Sequence, residues 1–189
     1  MHFKYLDINT DYQLLEDFAE KCAKKKYLNN STVEVMTVRK SIDSQTILGL
    51  DGTGIQAFAG CHNIWPRAST WRLGDRLVSL NRDRNVFKGI VPVMMGLLIL
   101  WVQSRYGPQK FITTTNAPGL SEERAGKSHT LDSVFKLKGS VYNHVDLISE
   151  EEQLYGVVQN IYKVNPEALL KELEEQSINH TFEKGMITK

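Results

Sequence analysis

Cysteine is nearly absent. The chain of 189 residues has two, Cys22 and Cys61, far apart and without a Cys or His partner at metal-ligand spacing. This excludes a disulfide framework and a zinc site, and it fits a reducing compartment. Long apolar runs are lacking too. The run at residues 91–102 covers twelve positions, short of the ~20 a spanning helix requires, so no membrane role is expected. The opening MHFKYLDINTDYQ is polar and contains no signal-like apolar core; the expectation is a cytoplasmic protein. An excess of one charge is also missing. The formal net charge is +1, which excludes a molecule-wide field that would favour nucleic acid or an acidic surface. No repeat and no low-complexity linker interrupts the chain.

What is present suits an ordinary globular domain. The composition is 41% apolar and 24% charged, and the length suits one domain with a substantial core. The charge is locally uneven. Residues 67–88 hold Arg67, Arg72, Arg76, Arg82, Arg84 and Lys88 against Asp75 and Asp83. Such a stretch is either a solvated strand face or a site for phosphate groups. SEEEQ (149–153) is acidic and suggests an exposed turn.

Patterning gives an order of elements. MHFKYLDI alternates as a strand. NTDYQLLEDFAEKCAKKK is helical, with Thr10 and Gln13 spaced as a capping box and Leu14, Phe18 and Cys22 on one face. QTILGL and IQAFAGCHNI flank DGTG, a hairpin signal. STWRLGDRLVSL (69–80) follows as a long third strand of that meander, with Gly74 marking a bulge. Pro92 is tolerated best in a first helical turn, so a helix is expected to start near Val91 and to stop at Tyr106–Gly107. KFITTTN (110–116) then forms a strand parallel to the third. Two more strands and an amphipathic helix, capped by Asn165 and opened by Pro166, complete the order. The last dozen residues suggest a loose tail. The chain divides into a domain over residues 1–164 and a C-terminal helix with tail over 165–189. The fold class is α/β (α+β), with a mixed central sheet of about six to seven strands flanked by helices.

This order, together with KGIVPVMMGLLILWV, resembles the GNAT superfamily of N-acyltransferases over roughly residues 2–164. The quoted stretch is laid out like that family's acyl-CoA motif, RGxGIGxxLLxxLxxxA. The resemblance implies transfer of an acyl group from acetyl-CoA or another acyl-CoA to a small-molecule or macromolecular amine. It also implies splayed third and parallel strands, with pantetheine in the gap. Val78, Ser79 and Leu80 would border the pantetheine arm. Val86, Phe87, Lys88, Gly89, Ile90 and Val91 would form the phosphate loop, with Arg84 nearby, and Asn116 would close the far strand. A helix N-terminus with free N–H groups is a ready anion site on physical grounds as well. Three features depart from the pattern: Val86 replaces the Arg or Gln, Val91 the second small residue, and Phe135 a common helix Tyr. KSHTLDSVFKLKG and HNIWPRASTWRLGDRLV also resemble the phage Mom-type DNA-modification branch. That implies an alternative in which Arg67, Arg72, Arg76 and Arg82 hold nucleic acid. A degenerate, non-catalytic binding domain is the third reading.

The candidate catalytic groups follow. His62 at a strand end is a base whose unperturbed pKa lies near neutrality. Asp75 stands where the resemblance places an acid that takes the amine proton. Asn116 is an amide that can hold cofactor or substrate. His129 is a loop group, and Tyr142 could replace the missing helix Tyr as general acid. The acceptor, the donor acyl group and the oligomeric state are open.

Overall fold

The computed structural model of the chain describes residues 1–24, 44–64, 69–80, 84–114, 145–154 and 157–187. The strands are β1 (His2–Tyr5), β2 (Ser44–Asp51), β3 (Gly54–Asn63), β4 (Thr70–Ser79), β5 (Lys110–Thr114), β6 (Val145–Leu154), β7 (Val157–Val164) and β8 (Thr181–Phe182). The helices are α1 (Ile8–Lys24), α2 (Arg84–Tyr106) and α3 (Pro166–Gln176), the last followed by a 3-10 turn at Ser177–Asn179.

One mixed sheet runs in the order β6-β7-β5-β4-β3-β2-β1-β8. Pairs β4–β5 and β1–β8 are parallel, and the other neighbours are antiparallel. α1 covers one face over β2 and β3. Its Leu15, Phe18 and Cys22 pack on Leu48, Ile55 and Phe58, the stripe that a 3.6-residue period makes available. The other face carries α2, whose Ile90–Ile99 turns are almost wholly buried against Ile47, Ala59, Trp71, Leu73 and Phe111. α3 joins this second core through Leu169 and Leu173. The two helices cross where α2 has Gly96; a Cβ there would stand 2.9 Å from Leu173 Cβ. By length and composition α2 could cross a membrane over Gly89–Tyr106, but here that stretch is a core helix.

Several sequence expectations hold in detail. The hairpin turns at Gly52–Thr53, where Asp51 Oδ1 accepts from the Thr53 N–H at 2.7 Å and Gly54 takes φ +111°. α2 stops where expected. Gly107 adopts φ +70° and donates to the Gln103 carbonyl at 3.0 Å, a left-handed cap. Asn165 caps α3 by accepting from the Ala168 N–H at 3.2 Å.

Others are corrected. α1 is capped by Asp7, not Thr10. Asp7 Oδ1 accepts from the Asn9 N–H, and the buried Asp11 carboxylate accepts from the Asp7 N–H, both at 3.0 Å. Leu15 and not Leu14 joins Phe18 and Cys22 on the buried face, and Leu14 is 38% exposed. The acidic 149–153 stretch continues β6 with register shifts instead of turning; charges on an edge strand discourage further strand addition. The last residues are not loose either. Phe182 stacks on Phe3, Glu183 N–H donates to the Phe3 carbonyl at 2.8 Å, and Met186 is buried. This docking supplies the eighth strand.

Candidate functional site

The site is a wedge between β4 and β5. The two strands pair at Thr70↔Lys110, Trp71↔Phe111 and Arg72↔Ile112, and no further. Gly74 explains why. Across β3, Leu73 faces Cys61 and Asp75 faces Gly60, so Gly74 is an extra residue on β4. It takes φ +74°, a conformation that glycine adopts without a Cβ penalty. A bulge of this kind bends its strand and increases the local twist. β4 continues along β3 to Ser79 while β5 turns to β7 through Thr113↔Tyr162 and Thr114↔Ile161. Beyond Arg72, the β5-facing backbone groups of β4 have no strand partner among the described residues. Such groups require a partner. At the apex the buried Thr113 hydroxyl lies 3.6 Å from where a Gly74 Cβ would be.

α2 begins beside the wedge, because β4 ends at Ser79 and the helix opens at Arg84. Leu80 N–H is tied back to the Gln56 carbonyl at 2.8 Å. The helix starts seven residues before Val91, with Pro92 inside it. This corrects the expected phosphate loop. The unpaired N–H groups of the first turn include those of Arg84, Asn85 and Val86. Lys88 and Gly89 lie within the hydrogen-bonded ladder, so their amides are not free. Ile90 and Val91 are core residues, 2% and 0% exposed, and line no loop. An interior proline costs about 3 kcal/mol. Burying Ile90, Val91, Val93 and Met94 returns about 1.5–3 kcal/mol each, so the longer helix wins. The free N–H groups of the helix start therefore sit about one turn nearer β4 than the motif implies.

His62 is buried on β3, with Ser44 of β2 and Arg72 of β4 as its cross-strand neighbours. Asp75 follows the bulge directly; its backbone, like that of Arg76, Val78 and Ser79, belongs to the part of β4 that borders the wedge. The structure thus brings the His62, Asp75 and β4 backbone positions to one region. Phe87 lies in the first turns of α2. Asn116, His129 and Tyr142 lie outside the described residues, as do Arg67 and Arg82. Trp71 is core, 1% exposed and edge-to-face with Trp101 at a centroid distance of 5.9 Å. No group of His, Cys, Asp and Glu suited to a metal occurs among the described residues. Lys163, which sequence reasoning did not single out, stands beside Ile112 in register.

No family model matches the sequence, and no curated protein matches it. Solved structures do match, at low identity. The aminoglycoside 6'-N-acetyltransferase from Enterococcus faecium superposes with a TM-score of 0.57 at 16% identity, covering 86% of this chain and 96% of that one. The GNAT domain of PAT from S. lividans gives 0.54 at 14%, with 86% and 89% covered. The PaiA N-acetyltransferase from Thermoplasma acidophilum, in complex with coenzyme A, gives 0.51 at 14%, with 86% and 99% covered. The comparisons lend no support to the Mom-type branch. The wedge, the bulge that opens it and these superpositions agree: the chain has the GNAT fold.

Proposed function

We propose that this chain is an N-acyltransferase that binds an acyl-CoA in the β4–β5 wedge and passes the acyl group to an amine. One observation carries the reading. Past Arg72, β4 has no strand partner on its β5 side among the described residues, and it runs on to Ser79, shortly before the N-terminal end of α2 at Arg84. An extended chain with amide groups fits such an edge as a strand would, and pantetheine is that kind of chain. Val78 and Ser79 offer the edge, with Leu80 at its exit. The amides of Arg84 and Val86 face the pyrophosphate, aided by the charges of Arg84 and Lys88, and Asn116 follows the far strand. An anion at a helix N-terminus is favoured by dipole and free donors together.

The thioester supplies an activated acyl group. The protein's part is to hold the amine against it and to place main-chain donors where negative charge develops. The amine must lose a proton on attack. Asp75 and His62 are the acceptors nearest the apex by strand position, and Tyr142 and His129 are further candidates for returning a proton to the departing thiolate. With Val91 in the core, its departure from the family motif no longer argues for a degenerate site.

A thermal-shift and calorimetric titration tests the reading. Acetyl-CoA is expected to stabilise the protein and to bind with a defined stoichiometry, whereas adenosine alone does neither. Absence of binding by acetyl-CoA, by longer acyl-CoAs and by free CoA would remove the proposal.

A further inference from the structure

Gly74 marks a seat as well as a bulge. Solvent reaches it, although Leu73 beside it is 0% exposed. A methyl built on Gly74 towards α2 would meet Met95 Cε at 2.9 Å and Thr113 Oγ1 at 3.6 Å. Among the described residues no other atom outside Gly74 and its chain neighbours lies within 4 Å of that point. A carbon in a packed core is enclosed on all sides. This point is instead the floor of an opening, at the place where β4 and β5 part.

The floor is apolar with one polar atom. Met95, Leu73 and Phe111 are 1%, 0% and 2% exposed and belong to the α2 core. Thr113 lies two residues past Phe111, on the same side of β5, and is 4% exposed. Among the described residues nothing hydrogen-bonds to its hydroxyl. A buried hydroxyl without a partner is costly, and a bound acceptor removes that cost.

The floor also stands at a defined reach from the start of α2. Arg84 to Met95 is eleven residues of helix, about 16 Å. Ser79 to Gly74 is five residues of strand, again about 16 Å. An extended arm of that order of length, held by its phosphates at the start of α2, delivers its far end to Gly74. In an acyl-CoA that end is a thioester, with one carbonyl acceptor and an apolar tail.

We infer that the donor's acyl group sits on this floor, with the Thr113 hydroxyl donating to the thioester carbonyl oxygen and Met95 setting how long an acyl chain fits. This rests on the acyltransferase reading and names its donor class: acetyl-CoA or propionyl-CoA, not a longer homologue. The first carbon on the floor already displaces the flexible end of Met95, a side chain that adapts. Further methylenes would press on Leu73, Trp71 and Phe111, and overfilling a packed core is unfavourable. Thr113 also touches the reacting atoms. As the amine nitrogen attacks the carbonyl carbon, the C–N bond forms and negative charge collects on the oxygen that Thr113 holds. The charge returns as the C–S bond breaks, and the proton lost by the amine balances the departing thiolate.

Calorimetric titration with free CoA and with acetyl-, propionyl-, butyryl- and octanoyl-CoA tests this without an acceptor. Acetyl-CoA and propionyl-CoA are expected to bind at least as tightly as free CoA. Butyryl-CoA and octanoyl-CoA should bind about 10-fold or more weakly than acetyl-CoA, the scale of a methylene that a pocket does not accommodate. Met95→Ala should bring the butyryl-to-acetyl ratio of Kd close to one. Thr113→Val keeps the shape and removes the hydroxyl. It should weaken acetyl-CoA relative to free CoA by about 2–10-fold, whereas Thr113→Ser should keep the native ratio. The Thr113 pair covers the case in which Met95→Ala does not fold. If free CoA binds and every acyl-CoA binds alike, or the longer ones bind more tightly, the inference is overturned and the acyltransferase reading stands. A ratio unmoved by Met95→Ala or by Thr113→Val removes that residue from the seat and likewise overturns it. If no CoA species binds, both readings fall.

Discussion

Arg72 and Ile112 form the last rung between β4 and β5, and Gly74 stands two residues beyond it. That adjacency makes the wedge a backbone property. Gly74→Ala must hold an L-residue at φ +74°, at a cost of about 1–2 kcal/mol. The nearest obstacle to the new methyl is the mobile end of Met95, at 2.9 Å, so strain dominates over crowding. Urea unfolding should show Gly74→Ala less stable by about that amount, with Gly74→Asn milder, because asparagine tolerates the left-handed region. Equal losses for both would contradict the backbone account.

The bulge was legible because glycine inside an apolar alternation has few other uses. The helix end at Gly107 was legible for the same reason. The start of α2 was not. Proline's preference for a first turn was set against burial that only the assembled sheet supplies, and the burial of Ile90 to Met94 outweighs it. β8 was illegible because two residues carry no period; Phe182 is fixed by Phe3, a partner from the other end of the chain. The cross-strand neighbours of His62, Arg72 and Ile112 needed register, which only the assembled sheet supplies. No pattern local to residue 163 reports what lies beside it.

Packing of α3 depends on one glycine. A Cβ on residue 96 would meet Leu173 Cβ at 2.9 Å and the Leu169 carbonyl at 3.2 Å, and a backbone oxygen cannot step aside. Gly96→Ala should destabilise by about 1–3 kcal/mol, despite alanine's better helix propensity. Adding Leu173→Gly takes away that Cβ and leaves only the carbonyl contact. The double variant should then be less destabilised than the sum of the singles, a coupling that chemical denaturation of all four proteins measures. Additive losses would place the strain elsewhere.

Asp11 is a buried carboxylate with two charge-satisfying partners, Lys4 Nζ at 2.9 Å and the Asp7 N–H at 3.0 Å. It joins β1 to the first turn of α1. Asp11→Ala removes both bonds at once, and the loss should be about 2–4 kcal/mol, between a buried hydrogen bond and a broken buried pair. Lys4→Met should also destabilise, because it leaves the carboxylate buried with one donor fewer. The exposed pair Glu20–Lys24, at 3.6 Å, is a contrast: breaking it should change stability by less than about 0.5 kcal/mol. Added salt should erode only that second contribution.

Tyr5 gives the fold an alkaline limit. Its hydroxyl donates to the Leu97 carbonyl at 3.5 Å. Burial pushes its pKa from 10.0 up to about 12, against a smaller downward pull from Arg105. The folded state therefore keeps the phenol proton that the unfolded chain gives up near pH 10. By linkage, stability contributed by the neutral phenol is complete below pH 10 and is lost as the pH rises towards 12. Other groups titrate in that window, so the informative quantity is the difference from Tyr5→Phe. The unfolding free energy of the native protein should fall more steeply between pH 10 and 12 than that of the variant, and the two slopes should coincide below pH 9. Parallel curves across the whole range would mean that the phenolate is accommodated in the folded protein, with the hydroxyl hydrated instead of buried against α2.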